Sequence, residues 1–156
     1  MPFSGNRWEN KMGIMDVGLG SSFDQEMRYI LLLSCSEQAH TSTWIECMDY
    51  IVTYAGDYDY SENNLHGYGE YRFAEFSSRN SISAVVLRNL AYRGLITVHL
   101  KKQDLLFLIS EDGLELASNM NSNYASDYKA LADDITYQLK DITDHDLMAL
   151  VTKGRI

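Results

Sequence analysis

SISAVVLRNLAYRGLITVHLKKQDLLFLISEDG, residues 81–113, decides how the rest of this chain is read. Ser81 is a helix cap, because its hydroxyl can accept an N–H of the first turn. Ile82, Val85, Val86, Asn89 and Leu90 recur at helical spacing and predict a helix over 82–93. Gly94 supplies the left-handed residue that ends it. Ile96, Val98 and Leu100 then alternate with Thr97 and His99, the period of a strand. Residues 101–104 make a polar turn, and 105–109 return as a second strand. Ser110 caps the next helix, with Glu111 and Asp112 in its first turn, where carboxylates suit the positive helix end. Helix, strand, strand, helix is the order of a winged helix, a module known for holding DNA.

The flanking sequence is mostly helical. Met27, Ile30, Leu31 and Ser34 predict a first helix over 24–37, with Asp24 as its cap. Thr41-Ser42-Thr43 caps a second over 44–54, with Ile45, Met48, Ile51 and Val52 as its stripe and Gly56 as its stop. Tyr124, Tyr128, Leu131, Ile135 and Leu139 mark a helix over 124–140, and Leu147, Leu150 and Val151 a short one over 145–153. A single proline, Pro2, suits a helix-rich chain. The expected fold is α+β and mostly helical: a winged helix-turn-helix core of three helices and a two-stranded wing, with additional C-terminal helices. Residues 1–23 lack a clean period and are expected to form an arm, flexible or ordered by a partner, on which Trp8, Met12, Ile14 and Met15 could anchor. Residues 24–156 form one domain, since 156 residues suit one compact unit.

Between the second and third helices lies a tyrosine-rich stretch, residues 55–80. A loop of this length without regular structure generally serves a function. Tyrosine gives wide contact area at low entropic cost and is enriched at interfaces. The partner surface expected from this region comprises Tyr50, Tyr54, Tyr58, Tyr60, His66, Tyr68, Tyr71 and Phe73. A loop packed onto its own domain by the same rings is the competing reading.

The net charge is −9, unevenly distributed. Residues 37–78 carry a net −7 and 110–156 a net −5, whereas 79–109 carry +4. Arg79, Arg88, Arg93, Lys101 and Lys102 are therefore the candidates for nucleic-acid contact. A duplex binder needs a broad basic face, because phosphate neutralisation supplies most of its affinity. Here the basic segment sits in an acidic chain that repels a duplex. On a helical projection Arg88 shares its face with only Ser81, Ala84 and Ala91, a small flat surface that suits packing against protein.

The motifs of catalysis are not found. Gly18-Leu19-Gly20 lacks the strand before it and the lysine after it that a phosphate loop needs. His40, His66, His99 and His145 are scattered, with no acid or cysteine at ligand spacing. Asp57 and Asp59 are too few for a cation site, and Asp133-Asp134 reads as a solvated face. Cys35 and Cys47 match no zinc spacing and read as small buried side chains in a reducing compartment. With no apolar run of membrane-spanning length and no signal peptide, the expected location is the cytoplasm. The chain is expected to be no enzyme and to hold no cofactor, metal or small-molecule substrate.

The order of several pieces resembles a known family. MDYIVTYAGDY from Met48, NLHG from Asn64, SRNSISAVVLRNLAYRGLI from Ser78 and NMNSNYASDYKALADDI from Asn119 resemble the type 2 middle components of bacterial ABC-three-component systems. Those are small accessory subunits found in Lamassu-type anti-phage and anti-plasmid defence. The positions that carry the likeness are Asp49-Tyr50, Gly56-Asp57-Tyr58, Leu65-His66, Arg79, Gly94-Leu95-Ile96 and Tyr124-Ala125. The resemblance implies a non-catalytic subunit that sits on an SMC- or Rad50-like ATPase beside an effector, commonly a nuclease, and touches DNA only through that complex. A more general likeness, RGLI followed by two strands and ISEDG, is to winged-helix regulators. It leaves a free-standing DNA-binding transcription regulator as the alternative.

Overall fold

The computed structural model describes residues 17–153, with side chains from residue 22. Six helices and one hairpin follow in order: α1 (Val17–Leu33), α2 (Ser42–Thr53), α3 (Glu75–Tyr92), β1 (Ile96–Lys101), β2 (Asp104–Ile109), α4 (Glu111–Asn119), α5 (Asn123–Gln138) and α6 (Asp144–Lys153). Two 3-10 turns, Ala55–Tyr58 and Arg72–Ala74, lie between α2 and α3. The chain is thus mostly helical, with one two-stranded antiparallel sheet.

α1 and α2 form the centre. Tyr29 to Leu33 are all buried, so the end of α1 is apolar all round, which is the signature of an enclosed helix. Every residue of α2 from Trp44 to Thr53 except Glu46 is buried as well. Thr41 holds its start: Oγ1 accepts from the Trp44 N–H at 3.1 Å and donates to Asp144 Oδ2 at 2.6 Å, which ties α2 to α6. α3, α5 and α6 pack around this pair, and α4 leans on α1.

The first helix differs from expectation. It starts at Val17 rather than at 24, and Asp24 lies within it instead of capping it. Its opening residues, VGLGSS, carry no apolar period to reveal a helix. It ends at Leu33 because Ser34 Oγ donates to the Leu31 carbonyl at 2.6 Å and Cys35 closes a tighter turn onto Leu32. The expected arm falls outside the described residues up to position 16, and from Val17 onward the chain is helical.

α3 also starts earlier, at Glu75 rather than after Ser81. Residues 75–80, EFSSRN, look polar, yet Phe76 and Arg79 both face inward. An arginine at a core position hides the period. The loop expected over 55–80 shortens accordingly. Gly56 does not end α2, which stops at Thr53, but lies inside the first 3-10 turn.

The hairpin forms where expected, paired from Ile96↔Ile109 to Lys101↔Asp104, so that the turn expected over 101–104 shortens to Lys102 and Gln103. Gly94 takes φ +73°, the left-handed conformation that lets the chain leave α3. His40 adds a short bridge to the other side of β2, exchanging two bonds with Phe107 at 2.9 and 2.7 Å. The apolar face of the hairpin is buried at its base only. Ile96 and Ile109 are enclosed, but Val98, Leu100 and Leu105 are 44, 72 and 54% exposed. The alternation that predicted β1 therefore does not mark a core strand along its whole length.

Ser110 starts α4: Oγ accepts from the Gly113 N–H at 3.1 Å and donates to the Gly94 carbonyl at 2.7 Å. Gly113 is needed there, because a Cβ would stand 2.2 Å from the Leu95 carbonyl oxygen. Ser122 caps α5 in the same way, accepting from Ala125 at 3.1 Å.

Candidate functional site

Asp49, in the middle of α2, is 1% exposed, an unusual place for a carboxylate. Arg28 of α1 donates to it through Nε, at 3.0 and 3.2 Å to the two oxygens. Arg79 of α3 donates through Nη1 at 3.1 Å, and Tyr128 of α5 donates its hydroxyl at 2.7 Å. Four helices thus meet on one carboxylate. Burial pushes the Asp49 pKa upward, but the charges of Arg28 and Arg79 and the bonds from Arg28 and Tyr128 outweigh it and hold the group below the usual aspartate value.

Arg79 extends the network. It is 5% exposed and donates to Thr53 Oγ1 at 2.9 Å and to Glu75 Oε2 at 3.1 and 2.9 Å. Tyr54 donates to the other oxygen of Glu75 at 2.5 Å. Arg79 Nη2 also lies 3.2 Å from His66 Nδ1. A guanidinium has only donors, so Nδ1 must accept, and the imidazole proton is on Nε2. Nε2 then donates to the Tyr124 hydroxyl 2.7 Å away. Burial, with the positive charges of Arg79 and Arg28 beside it, lowers the His66 pKa to about 4, so the ring is neutral at pH 7. Two carboxylates and two guanidiniums balance in charge.

A second ion pair closes the loop before α3. Arg72 Nε donates to Asp57 Oδ2 at 2.8 Å, and Tyr50 donates to the Arg72 carbonyl at 3.0 Å. Asn64 accepts from the Asp57 N–H at 2.9 Å and donates to Gly67 at 3.0 Å. A cleft of about 520 Å³ opens beside the network, lined by Phe23, Met27 and Leu31 and reached by Arg28, His66 and Tyr124.

These contacts redistribute the expected surface. Tyr50 and Tyr54 are corrections: both rings are enclosed, Tyr50 against Tyr54, Tyr58 and Phe76, so neither offers an interface. Tyr58 is half-buried and donates to the Val151 carbonyl at 3.0 Å, and Tyr60 packs on the core. His66 bridges two arms of the network. Phe73 lies under Arg72, 4.3 Å from its guanidinium carbon. Tyr68 and Tyr71 are the two expected interface rings that stand exposed. Of the basic candidates, Arg79 is a correction, because its guanidinium is enclosed and committed to Asp49 and Glu75. Arg93 pairs with Glu26. Arg88, Lys101 and Lys102 are exposed, and none makes a salt bridge among the described residues.

Sequence reasoning did not single out Arg28 or Tyr128 as partners of Asp49. The signal was present: Arg28 adjoins the apolar run Tyr29–Leu33 and Asp49 lies within the apolar stripe of α2, and buried charges must be paired.

The network offers little chemistry. Both ring nitrogens of His66 are engaged, so it has no position for a reacting proton. Ser36 Oγ lies 2.7 Å from His40 Nε2, but Asp144 takes its bond from Thr41. Burial lowers the His40 pKa to about 4, which makes it a weak base. Burial pushes both cysteine thiols up to about 12. Among the described residues no group of three or more His, Cys, Asp or Glu side chains could hold a metal ion.

The sequence model of the family described as ABC-three component (ABC-3C) system Middle Component 2 matches residues 19–155. Comparison with curated proteins and with solved structures gave no match. Of the positions that carried the resemblance in the sequence, Asp49, His66, Arg79 and Tyr124 meet in the buried network, and Tyr50 and Asp57 tie down the loop beside it, whereas Gly94, Leu95 and Ile96 lie apart at the exit of α3.

Proposed function

The chain belongs to the ABC-three component (ABC-3C) system Middle Component 2 family, and from that premise we propose that it is a non-catalytic accessory subunit of a Lamassu-type defence complex. It joins an SMC- or Rad50-like ATPase to an effector nuclease in the cytoplasm. α3, the hairpin and α4 act as a winged helix turned to protein contact. One observation carries this reading: the polar residues that define the chain are enclosed, while its hairpin leaves an apolar face uncovered. Val98, Leu100 and Leu105 stand out from the body with no described residue over the tip. Exposed apolar surface of this kind marks an interaction site. An acidic subunit can dock on a basic ATPase without competing for the DNA that the ATPase holds.

Family membership makes partner subunits the expectation, and co-expression tests which they are. The chain should co-purify with an SMC- or Rad50-like ATPase when the two are co-expressed, and the pair should hold through moderate salt. Loss of the pair at moderate salt counts against the proposal. The regulator alternative draws on Arg88, Lys101 and Lys102, and it requires the chain alone to shift a defined duplex at physiological salt.

A further inference from the structure

We propose that the groove between α3 and the hairpin seats a basic amphipathic helix of a partner subunit, a proposal that rests on the accessory-subunit reading above. The groove encloses about 720 Å³. Ala84, Leu87 and Ala91 of α3 form one wall, and Val98 and Leu105 of the hairpin another. Ala84 and Ala91 are seven residues apart, two turns along one helix face. Their small side chains let a second helix approach closely. On the hairpin, Val98 pairs with Phe107 and Leu100 with Leu105, so these four share one face. That face continues the apolar wall outward.

The charge of the groove selects the occupant. Glu46, Asp104 and Asp144 line it against a single cation, Arg88. Glu46 has no salt-bridge partner among the described residues. Asn80 also lines the groove, and its Oδ1 is buried with no donor among the described residues reaching it. A buried acceptor without a partner is costly, and an arriving N–H group would remove that cost. An arginine or lysine on an otherwise apolar helix supplies the donor and offsets the carboxylates. A nucleic-acid backbone does neither. The face of α3 that a DNA reader would present, with Ala84, Arg88 and Ala91, is here one wall of an acidic cleft. A second copy of the chain, itself at −9, is disfavoured by repulsion.

The test uses the full chain co-expressed with the two neighbouring subunits of its system. Ala84→Arg adds bulk and charge at an exposed site, and Glu46→Lys reverses a groove carboxylate. Each should weaken partner retention at least about tenfold, and the thermal midpoint of the free chain should hold for Ala84→Arg, whose site is exposed. Asn80→Leu should also weaken retention, yet leave the free chain as stable as before or more so, because it removes an orphaned acceptor. That split separates a docking role from a structural one. If the partner stays bound to all three variants, the groove proposal fails and the accessory-subunit reading stands. If the unaltered chain retains no partner, both fail. A dimer of the chain that Ala84→Arg dissociates points to a second copy and overturns the proposal. Duplex binding by the chain alone, lost in Arg88→Glu, overturns it in favour of nucleic acid.

Discussion

The hydroxyl of Tyr128 donates to Asp49 Oδ1 at 2.7 Å, and the two residues are 79 positions apart in the chain. With Arg28 and Arg79 on the same carboxylate, this bond makes Asp49 the point where α1, α2, α3 and α5 are locked together. The relative placement of those helices sets the position of the hairpin and its groove.

Removing one partner from a buried ionic cluster leaves the others uncompensated. Asp49→Asn keeps the shape but strands the buried Arg28 guanidinium and leaves Arg79 with Glu75 alone, and should cost about 3–5 kcal/mol. Tyr128→Phe deletes one bond and should cost about 1–3 kcal/mol. Denaturant titration followed by circular dichroism reads both values. An Asp49→Asn chain with the midpoint of the parent would show that the network is not a stability element.

Stability should fall on mild acidification. The pKa of His66 is about 4 in the folded chain because of burial and of the charges of Arg79 and Arg28, against 6.5 for an unperturbed histidine. Between these values the unfolded chain binds the proton and the folded chain does not, so stability declines as pH drops from 6.5 to 4 and is level for this group below 4. The loss is on the order of 3 kcal/mol. His40, lowered to about 4 by burial, adds in the same direction. Asp49, held below its usual value, adds a loss only at more acidic pH, as it protonates. His66→Gln should flatten part of the slope between pH 6.5 and 4 in thermal melts, and an unchanged slope would contradict the assignment.

Gly113→Ala places a Cβ 2.2 Å from the Leu95 carbonyl, with Ile109 Cδ1 at 2.6 Å. The backbone must shift where α4 meets the hairpin, at a cost of about 1–3 kcal/mol. Gly69→Ala is the control, since nothing lies within 4 Å of its added Cβ. Equal thermal midpoints for the two variants would mean that α4 does not need that close approach.

Both thiols should resist alkylation in the folded chain at pH 8. Burial raises Cys35 and Cys47 to about 12, and the thiolate is the reactive form. Iodoacetamide followed by mass spectrometry should label both rapidly only after denaturant is added. Rapid labelling of Cys47 without denaturant would mean that α2 opens locally.

The 81–113 segment was legible because its information is local. A glycine with positive φ, a period-2 run and the capping Ser110 each act on neighbouring residues, and the Gly94 exit, the hairpin and the start of α4 follow from them; Ser81, expected as a cap, lies inside α3 and donates to the Ser78 carbonyl instead. The start of α3 was not legible, since Arg79 occupies a position where a pattern reader expects an apolar residue. The start of α1 was hidden for the converse reason, as its first residues have no pattern to read. The tyrosines of 50–60 were expected on a surface because composition records ring type and not direction.

By itself the sequence determined the helix and strand order from residue 81 onward, the acidic balance and the resemblance that located the family. Only the tertiary structure decided which side chains meet. Asp49, Arg28, Arg79, His66 and Tyr128 lie on four helices and the loop before α3, and nothing in their spacing along the chain pairs them. The physical reason is that a buried charge is selected by partners distant in sequence, whereas a cap or a turn is selected by the residue beside it.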